Sequence, residues 1–416
     1  MTRVLCIAYA CEPDRGSEPA VGWNTTLALS ERLDVIVLTR ANNRAAIEGW
    51  YAEHPEVRPP VYLYHDPPAW MTFWKRGQRG VQLYYYLWQL TAISRVRSAC
   101  AEMDVDLVQH VSFVKYWAPS AGAFAHRPFV WGPVGGGERI PRGMWSALPR
   151  SARFGEWLRV AVQTLAEFDP LVRRTARHAS VSLATTKETA ERLQALHCRD
   201  VRVIPAISLP LAGDDGSGPA PMRREGARFA SVGRLEAWKG FQLGVEAFCR
   251  ADIPGATFDV IGSGHMEGPM RDLARKWGKG DAVVFSSNVP RAQLLERMRD
   301  SVDVLVHPSL HDSGGMVVLE AARAGKPVVA IDAGGPGEIL PQSEFLVEPG
   351  PVSEVVERLA SAMTTLAENP AIAASAGLEA MCASEQFLPE RLAEKLLEVF
   401  ADVLSAPEVT ERRAEG

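Results

Sequence analysis

The sequence predicts an α/β protein of two doubly wound, Rossmann-like domains facing each other across a cleft, and three observations carry that prediction. Short apolar runs alternate with amphipathic stretches along the whole chain, the pattern of parallel strands covered by helices on both faces. Around residues 205–227 a run of Pro205, Pro210, Gly213, Asp214, Asp215, Gly216, Ser217, Gly218, Pro219 and Pro221 interrupts the alternation, which then restarts. Residues of this kind break regular structure and make a flexible connection. The third observation is length: 416 residues are enough for two or three cores at roughly 100–200 residues per domain. The expected domains are 1–207, 208–385 and 386–416, the last a C-terminal helix that packs on either domain, the first included, and a polar tail.

In the first half, buried strands are expected at 4–10, 35–39, 61–64, 107–110, 129–132 and 180–184, each an apolar run bounded by Gly, Pro or polar residues. Helices are expected between them, at 23–33, 83–102 and 187–196. In the second half the strands fall at 228–232, 257–262, 283–285, 302–307, 327–331 and 345–347. Helices fill 243–250, 268–277, 291–299, 317–324 and 352–368, with a last one over 389–404 and a frayed tail after Ala406.

Composition narrows the function classes. Lys plus Arg is 45 against 50 Asp plus Glu, a net charge of −5, and without a basic excess nucleic acid is not expected as a partner. The 47% apolar content excludes intrinsic disorder. Six Cys, at 6, 11, 100, 198, 249 and 382, form no C-x-x-C pair and no zinc pattern. With neither a signal peptide nor an 18-residue apolar run, the expectation is a reduced, cytoplasmic protein. Nine of the eleven Trp precede residue 160, so the two halves are expected to do different work.

The chemistry-bearing residues of the second half follow strand ends. In Ser231-Val-Gly-Arg-Leu235, followed by Lys239-Gly240, Gly233 lets a ligand near the backbone, while Arg234 and Lys239 put a bidentate fork and a point charge beside one helix start. Gly262-Ser-Gly264 ends another strand; alone, a G-x-G is weak evidence for phosphate binding. The stretch from His307 to Glu320 leaves a strand, crosses Ser313-Gly-Gly315 and enters a helix. The amides of that turn make an anion and hydroxyl site, with Asp312 on the loop and Glu320 eight residues on. An N-cap for Asp312 and a surface charge for Glu320 are the bland alternatives.

These elements, with Ala321-Ala-Arg-Ala-Gly-Lys-Pro-Val-Val-Ala330 and Gly334-Gly-Pro-Gly-Glu338, resemble the donor site of GT-B fold retaining glycosyltransferases of family four. The resemblance covers nearly the whole chain and is strongest over 229–340. It implies that Arg234 and Lys239 clamp the donor diphosphate, that Glu320 binds the ribose hydroxyls, and that Gly314, Gly315, Met316 and Val317 hold sugar hydroxyls and phosphate through their amides, beside Gly233 and Gly264. The family's first acidic residue is usually Glu. Here it is Asp312, one methylene shorter, which supplies a carboxylate near the sugar and bears on which sugar fits.

In the first half, Gly16 lies in a Gly-bearing loop after the first strand, where donor can approach the backbone, and Glu18 is placed to meet an acceptor hydroxyl; a loop with a helix cap at Ser17 is the alternative. His110 ends a strand where family members place a histidine beside the donor sugar, which makes it, with Asp312, Arg234 and Lys239, a candidate for the reacting face. Trp131-Gly-Pro-Val-Gly-Gly-Gly-Glu138 supplies Trp131 as a stacking platform and Gly136 and Glu138 as further acceptor contacts; packed core is the alternative for the indole.

The reaction implied is transfer of a sugar from a nucleotide-sugar to an acceptor hydroxyl of a saccharide, glycolipid, lipid-linked or secondary-metabolite molecule, with retention. No resident cofactor and no metal are expected, since no D-x-D signature ends a strand and two cations replace a divalent ion. The tract Pro67–Arg79, with its aromatics and Lys75, Arg76 and Arg79, suits either a lipid surface, hence a peripheral contact at the inner membrane face, or a soluble acceptor groove. A nucleotide-sugar epimerase or glycosyl phosphorylase on the same fold is the rival enzyme reading. A non-enzymatic two-lobed sugar-binding protein is a more distant one, since it would not need the Arg234/Lys239 pair.

Overall fold

The computed structural model describes residues 2–16, 18–77, 79–205 and 226–406. Ser17, most of the expected linker and the tail after Ala406 lie outside them. Two parallel sheets organise two compact units. The first unit comprises the described parts of 1–137, 161–210 and 387–416, and the second those of 138–160 and 211–386.

The sheet of the first unit contains β1 (Arg3–Ala8), β2 (Asp34–Thr39), β3 (Val61–Tyr64), β4 (Leu107–Ser112), β5 (Phe129–Val134), β6 (Val181–Ala184) and β7 (Val201–Val203). Their order is β3-β2-β1-β4-β5-β6-β7, parallel at every pairing. The central strands are buried because helices cover both faces; every residue of β4 is buried, Gln109, His110 and Ser112 included. One face packs Leu5, Ile7, Tyr85, Trp88, Phe129 and Trp131 into a core rich in aromatic rings. The other receives the last helix, Pro389–Ser405, whose Leu392, Leu396, Val399 and Phe400 pack with Trp23, Leu29 and Val37. That helix therefore belongs to the first unit.

The sheet of the second unit contains β8 (Arg228–Val232), β9 (Thr257–Ile261), β10 (Val283–Ser286), β11 (Val304–His307), β12 (Val328–Ile331) and β13 (Leu346–Val347), in the order β10-β9-β8-β11-β12-β13. The strand order reverses between β8 and β11, and ligands of such sheets bind outside the carboxyl ends at that switch point. The loops after β8 and β11 are therefore the ones to inspect.

One boundary differs from the expected 1–207. Residues 138–160 group with the second unit, because Ile140, Met144 and Leu148 are buried in its core with Phe241, Phe248 and Val356. Among the described residues no helix is long and apolar enough to cross a membrane.

Candidate donor site

The loops after β8 and β11 are tied together by their backbones: Leu310 N–H donates to the Trp238 carbonyl at 2.9 Å. This contact brings two of the expected residues into direct reach. Lys239 Nζ lies 2.6 Å from Asp312 Oδ2, both side chains about 15% exposed or less. His307, the last residue of β11, places its Nε2 3.0 Å from the same oxygen, and the amides of Gly314 and Gly315 donate to Asp312 Oδ1 at 3.2 and 3.3 Å. Burial pushes the Asp312 carboxyl up, but Lys239 and the His307 hydrogen bond outweigh it and hold the group well below the usual carboxylate range. The carboxylate thus caps the Ser-Gly-Gly turn and pairs with the ammonium at once, so both readings of Asp312 describe part of what it does.

Behind the turn the helix Met316–Arg323 begins. The amides of Met316 and Val317 have no intrahelical acceptor, as for any first turn, and the helix dipole makes that end favourable for an anion. Glu320 is almost completely buried, with its carboxylate 2.6 Å from Arg291 Nη2. Burial raises its pKa, and Arg291 partly offsets the rise. The carboxylate expected to face a ribose therefore has an arginine partner, at the start of the helix Arg291–Ser301.

Arg234 is exposed, and its guanidinium lies 5.5 Å from the Trp238 ring centroid, while Lys239 Nζ lies 4.7 Å from it. The other partner of Trp238 is His311, stacked at 4.9 Å with 11° between the rings. Burial lowers the His311 pKa to about 4, helped by the charge of Arg159. Arg159 in turn binds Glu156 through Nε at 2.8 Å and through Nη2. Its Nη2 also donates to the Glu138 carbonyl at 3.4 Å. Glu138 is buried in the second unit, close to Gly334, whose neighbour Gly335 donates its amide to the Asp312 carbonyl at 2.6 Å. The expected acceptor contact Glu138 thus lies beside the donor loops, in the opposite unit from the one predicted.

The glycines divide. Gly264 has φ +157 and sits on the Leu235 carbonyl, where a Cβ would lie 2.5 Å away, so close packing of the two loops already requires it. Gly233, with φ +149, faces only the Phe241 ring.

The first-unit residues behave differently. His110 is completely enclosed. Gln89 accepts the Ala121 amide at its Oε1, 2.9 Å, which turns its Nε2 toward His110 Nε2 at 3.1 Å; the ring nitrogen is then the acceptor and its proton sits on Nδ1. Burial lowers the imidazole to about 3. His110 is thus a neutral, enclosed imidazole that joins β4 to the helix Val81–Glu102. Trp131 is likewise fully buried in the core and offers no stacking face. Glu18 starts the helix Glu18–Ser30 and accepts the Phe113 amide at 2.7 Å while pairing with Lys115 at 3.3 Å, so it ties the loops after β1 and β4 together. Gly16 lies on the first of these loops and Gly136 on the loop after β5.

Trp238, His307 and Arg291 were not singled out in the sequence. His307 heads the quoted motif and Trp238 separates the two cations, so both had a positional signal; Arg291 had none.

With the geometry in place, comparison with known proteins bears on the second unit. Residues 221–376 match the family described as glycosyl transferases group 1. Most of the second unit is thus similar to a group 1 glycosyltransferase domain. A glycogen synthase of Mycobacterium tuberculosis is 34% identical over 149 residues, 35% of this chain and 35% of the relative, so the chain spans about a third of that relative's length. A 2-deoxystreptamine glucosyltransferase of Streptomyces kanamyceticus is 27% identical over 298 residues, 64% of this chain and 70% of the relative. Among solved structures, Anabaena Alr3699/HepE in complex with UDP and glucose superposes with a TM-score of 0.62 at 20% identity, covering 97% of this chain and 100% of that one. The chain therefore has the GT-B fold, two parallel-sheet Rossmann-like domains.

Proposed function

We propose that this chain is a retaining, metal-independent glycosyltransferase that moves a sugar from a nucleotide-sugar to an acceptor hydroxyl of a saccharide, glycolipid or small molecule. One observation carries the reading: Lys239, Asp312 and the amides of the Gly314–Gly315 turn converge within hydrogen-bonding distance at the switch point of the second sheet. The family match of that unit and the UDP and glucose of the Anabaena neighbour support it.

On this reading the diphosphate binds between Arg234, Lys239 and the first amides of the helix Met316–Arg323, where positive charge is fixed before the reaction begins. The sugar lies toward Asp312, and the ribose hydroxyls bind Glu320 and displace Arg291 from it. The bond from the anomeric carbon to the diphosphate oxygen breaks and the acceptor oxygen bonds the same carbon on the same face. The acceptor proton passes to the departing phosphate oxygen. The two cations and the amides take the negative charge that develops on the leaving group, a role a divalent ion would otherwise fill.

The test is a turnover screen of UDP-, GDP-, ADP- and dTDP-sugars followed by proton NMR at the anomeric centre. The expected result is consumption of one nucleotide series with an α-linked product from an α-configured donor. A β-linked product overturns retention, and turnover that disappears on chelation overturns metal independence. Failure of every donor overturns the assignment.

A further inference from the structure

The ion pair of Glu320 and Arg291, both in the second unit, is lopsided. The Glu320 side chain is 4% exposed and that of Arg291 is 36% exposed. Arg291 Nη2 comes within 2.6 Å of Glu320 Oε1, yet that oxygen is sealed from solvent and has no hydrogen-bond donor aligned on it. The two groups therefore meet as charges, without the directional bond that a buried carboxylate oxygen normally receives. Glu320 depends on this neighbour, since a buried charge without compensation is costly. The guanidinium is already partly in water and can leave without burying anything.

Arg291 gains nothing from its own helix. It is the first residue of Arg291–Ser301, which has no acid in its first turn, and a cation at a helix N-terminus meets the positive end of the dipole. A partner with two hydroxyls aimed at Glu320 would satisfy the carboxylate better than an unaligned arginine does. The vicinal hydroxyls of a ribose meet that description. Inorganic pyrophosphate, which has no hydroxyl pair, does not.

We propose that Arg291 is a built-in competitor of the donor ribose for Glu320, a positioning residue that compensates the buried carboxylate until the ribose hydroxyls replace it. The inference rests on the reading of Glu320 as the ribose contact. Its consequence follows from linkage: stability that Arg291 confers only while it pairs with Glu320 is given up on nucleotide binding, and so subtracts from the affinity. Removing Arg291 should weaken the protein alone and tighten the nucleotide.

The test uses the full chain as wild type, Arg291→Met, Glu320→Gln and the double variant. Calorimetric titration with UDP, GDP, ADP and pyrophosphate is paired with melting temperatures taken alone and at saturating nucleotide. Arg291→Met should melt lower than wild type alone but not when saturated. It should bind the ribonucleoside diphosphate that wild type prefers about tenfold more tightly, with pyrophosphate affinity unchanged. On the Glu320→Gln background the same substitution should leave nucleotide affinity within about twofold. If Arg291→Met does not fold, Arg291→Gln gives the same comparison. An arginine that only braces the fold would lower both melting temperatures equally and leave affinity unchanged. That result overturns the proposal, as does weaker nucleotide binding by Arg291→Met, or a tightening that extends to pyrophosphate or survives in the double variant. Wild-type protein that binds none of the three nucleotides overturns the donor-site reading and this proposal together, whereas wild-type binding with any of the other results overturns the proposal alone.

Discussion

Asp312 concentrates the chemistry of the second unit into one side chain. Its carboxylate accepts from Lys239, His307 and two backbone amides, and removing one member of such a buried pair leaves the other charge without compensation. Asp312→Asn is therefore expected to destabilise the protein by about 3 kcal/mol in urea titration. The double variant with Lys239→Met should cost less than the two single losses added together, which a double-mutant cycle measures. Glu320 makes a separate prediction. Glu320→Ala should weaken nucleoside diphosphate binding by about tenfold, the worth of a charge-assisted hydrogen bond, with little effect on free phosphate. Equal losses for both ligands would remove the ribose role. At this scale the sequence was partly legible. Lys239, Asp312, Glu320 and the glycine turn stand at strand ends in a recognisable order. His110 and Trp131 stand at strand ends too, yet exposure is a tertiary property, and sequence position alone does not separate a lining residue from a sealed one.

The loops at the carboxyl ends of β8 and β11 depend on close backbone approach. Gly240 has φ +66, and a Cβ there would run into the Pro308 carbonyl. Gly240→Ala should therefore cost about 1–3 kcal/mol and weaken donor binding, because Lys239 precedes it. The control is Gly49, inside the helix Arg44–Glu53, where an added methyl would meet nothing within 4 Å. Gly49→Ala should stabilise by about 0.5–1 kcal/mol. Unchanged stability for Gly240→Ala would show that the two loops are not held as described. Elements with clean periodicity were legible: every strand expected in either half exists, because parallel strands buried on both faces are continuous apolar runs. The three-residue β7 is too short and half-polar to stand out. The helix Arg150–Ala166 was missed for the opposite reason. Its apolar residues recur clearly, but it follows a segment read as part of the first domain, and most of its large apolar side chains are exposed.

Over the whole molecule, three largely buried histidines among the described residues set the acid limit. Burial lowers His110 to about 3 and His311 to about 4, and it lowers His307 as well. In each case the unfolded chain binds a proton, near pH 6.5, that the folded chain refuses, so stability is complete above that value and lost as pH falls. Asp312 does not oppose this trend, because its depressed pKa affects stability only below the ordinary carboxylate value of 3.8. Between pH 7 and 5 His110 and His311 should each remove about 2 kcal/mol. The melting temperature should drop by several degrees, and His311→Gln should flatten part of the slope. An unchanged melting temperature over that range would mean the imidazoles are hydrated and chargeable in the folded state. The two-unit division was legible from the restart of strand–helix alternation. The transfer of residues 138–160 to the second unit was not, since Ile140, Met144 and Leu148 look like any apolar residues until their core is known.

Isothermal calorimetry of UDP, GDP, ADP and dTDP with wild-type protein, Arg234→Ala and Lys239→Ala tests the donor-site claim most directly. The expected result is saturable binding of one nucleoside diphosphate by the wild type, weakened by about tenfold or more in each variant, since each loses a charge-assisted contact to phosphate. Binding of the same nucleotide with undiminished affinity by both variants, or no binding of any of the four by the wild type, would contradict it.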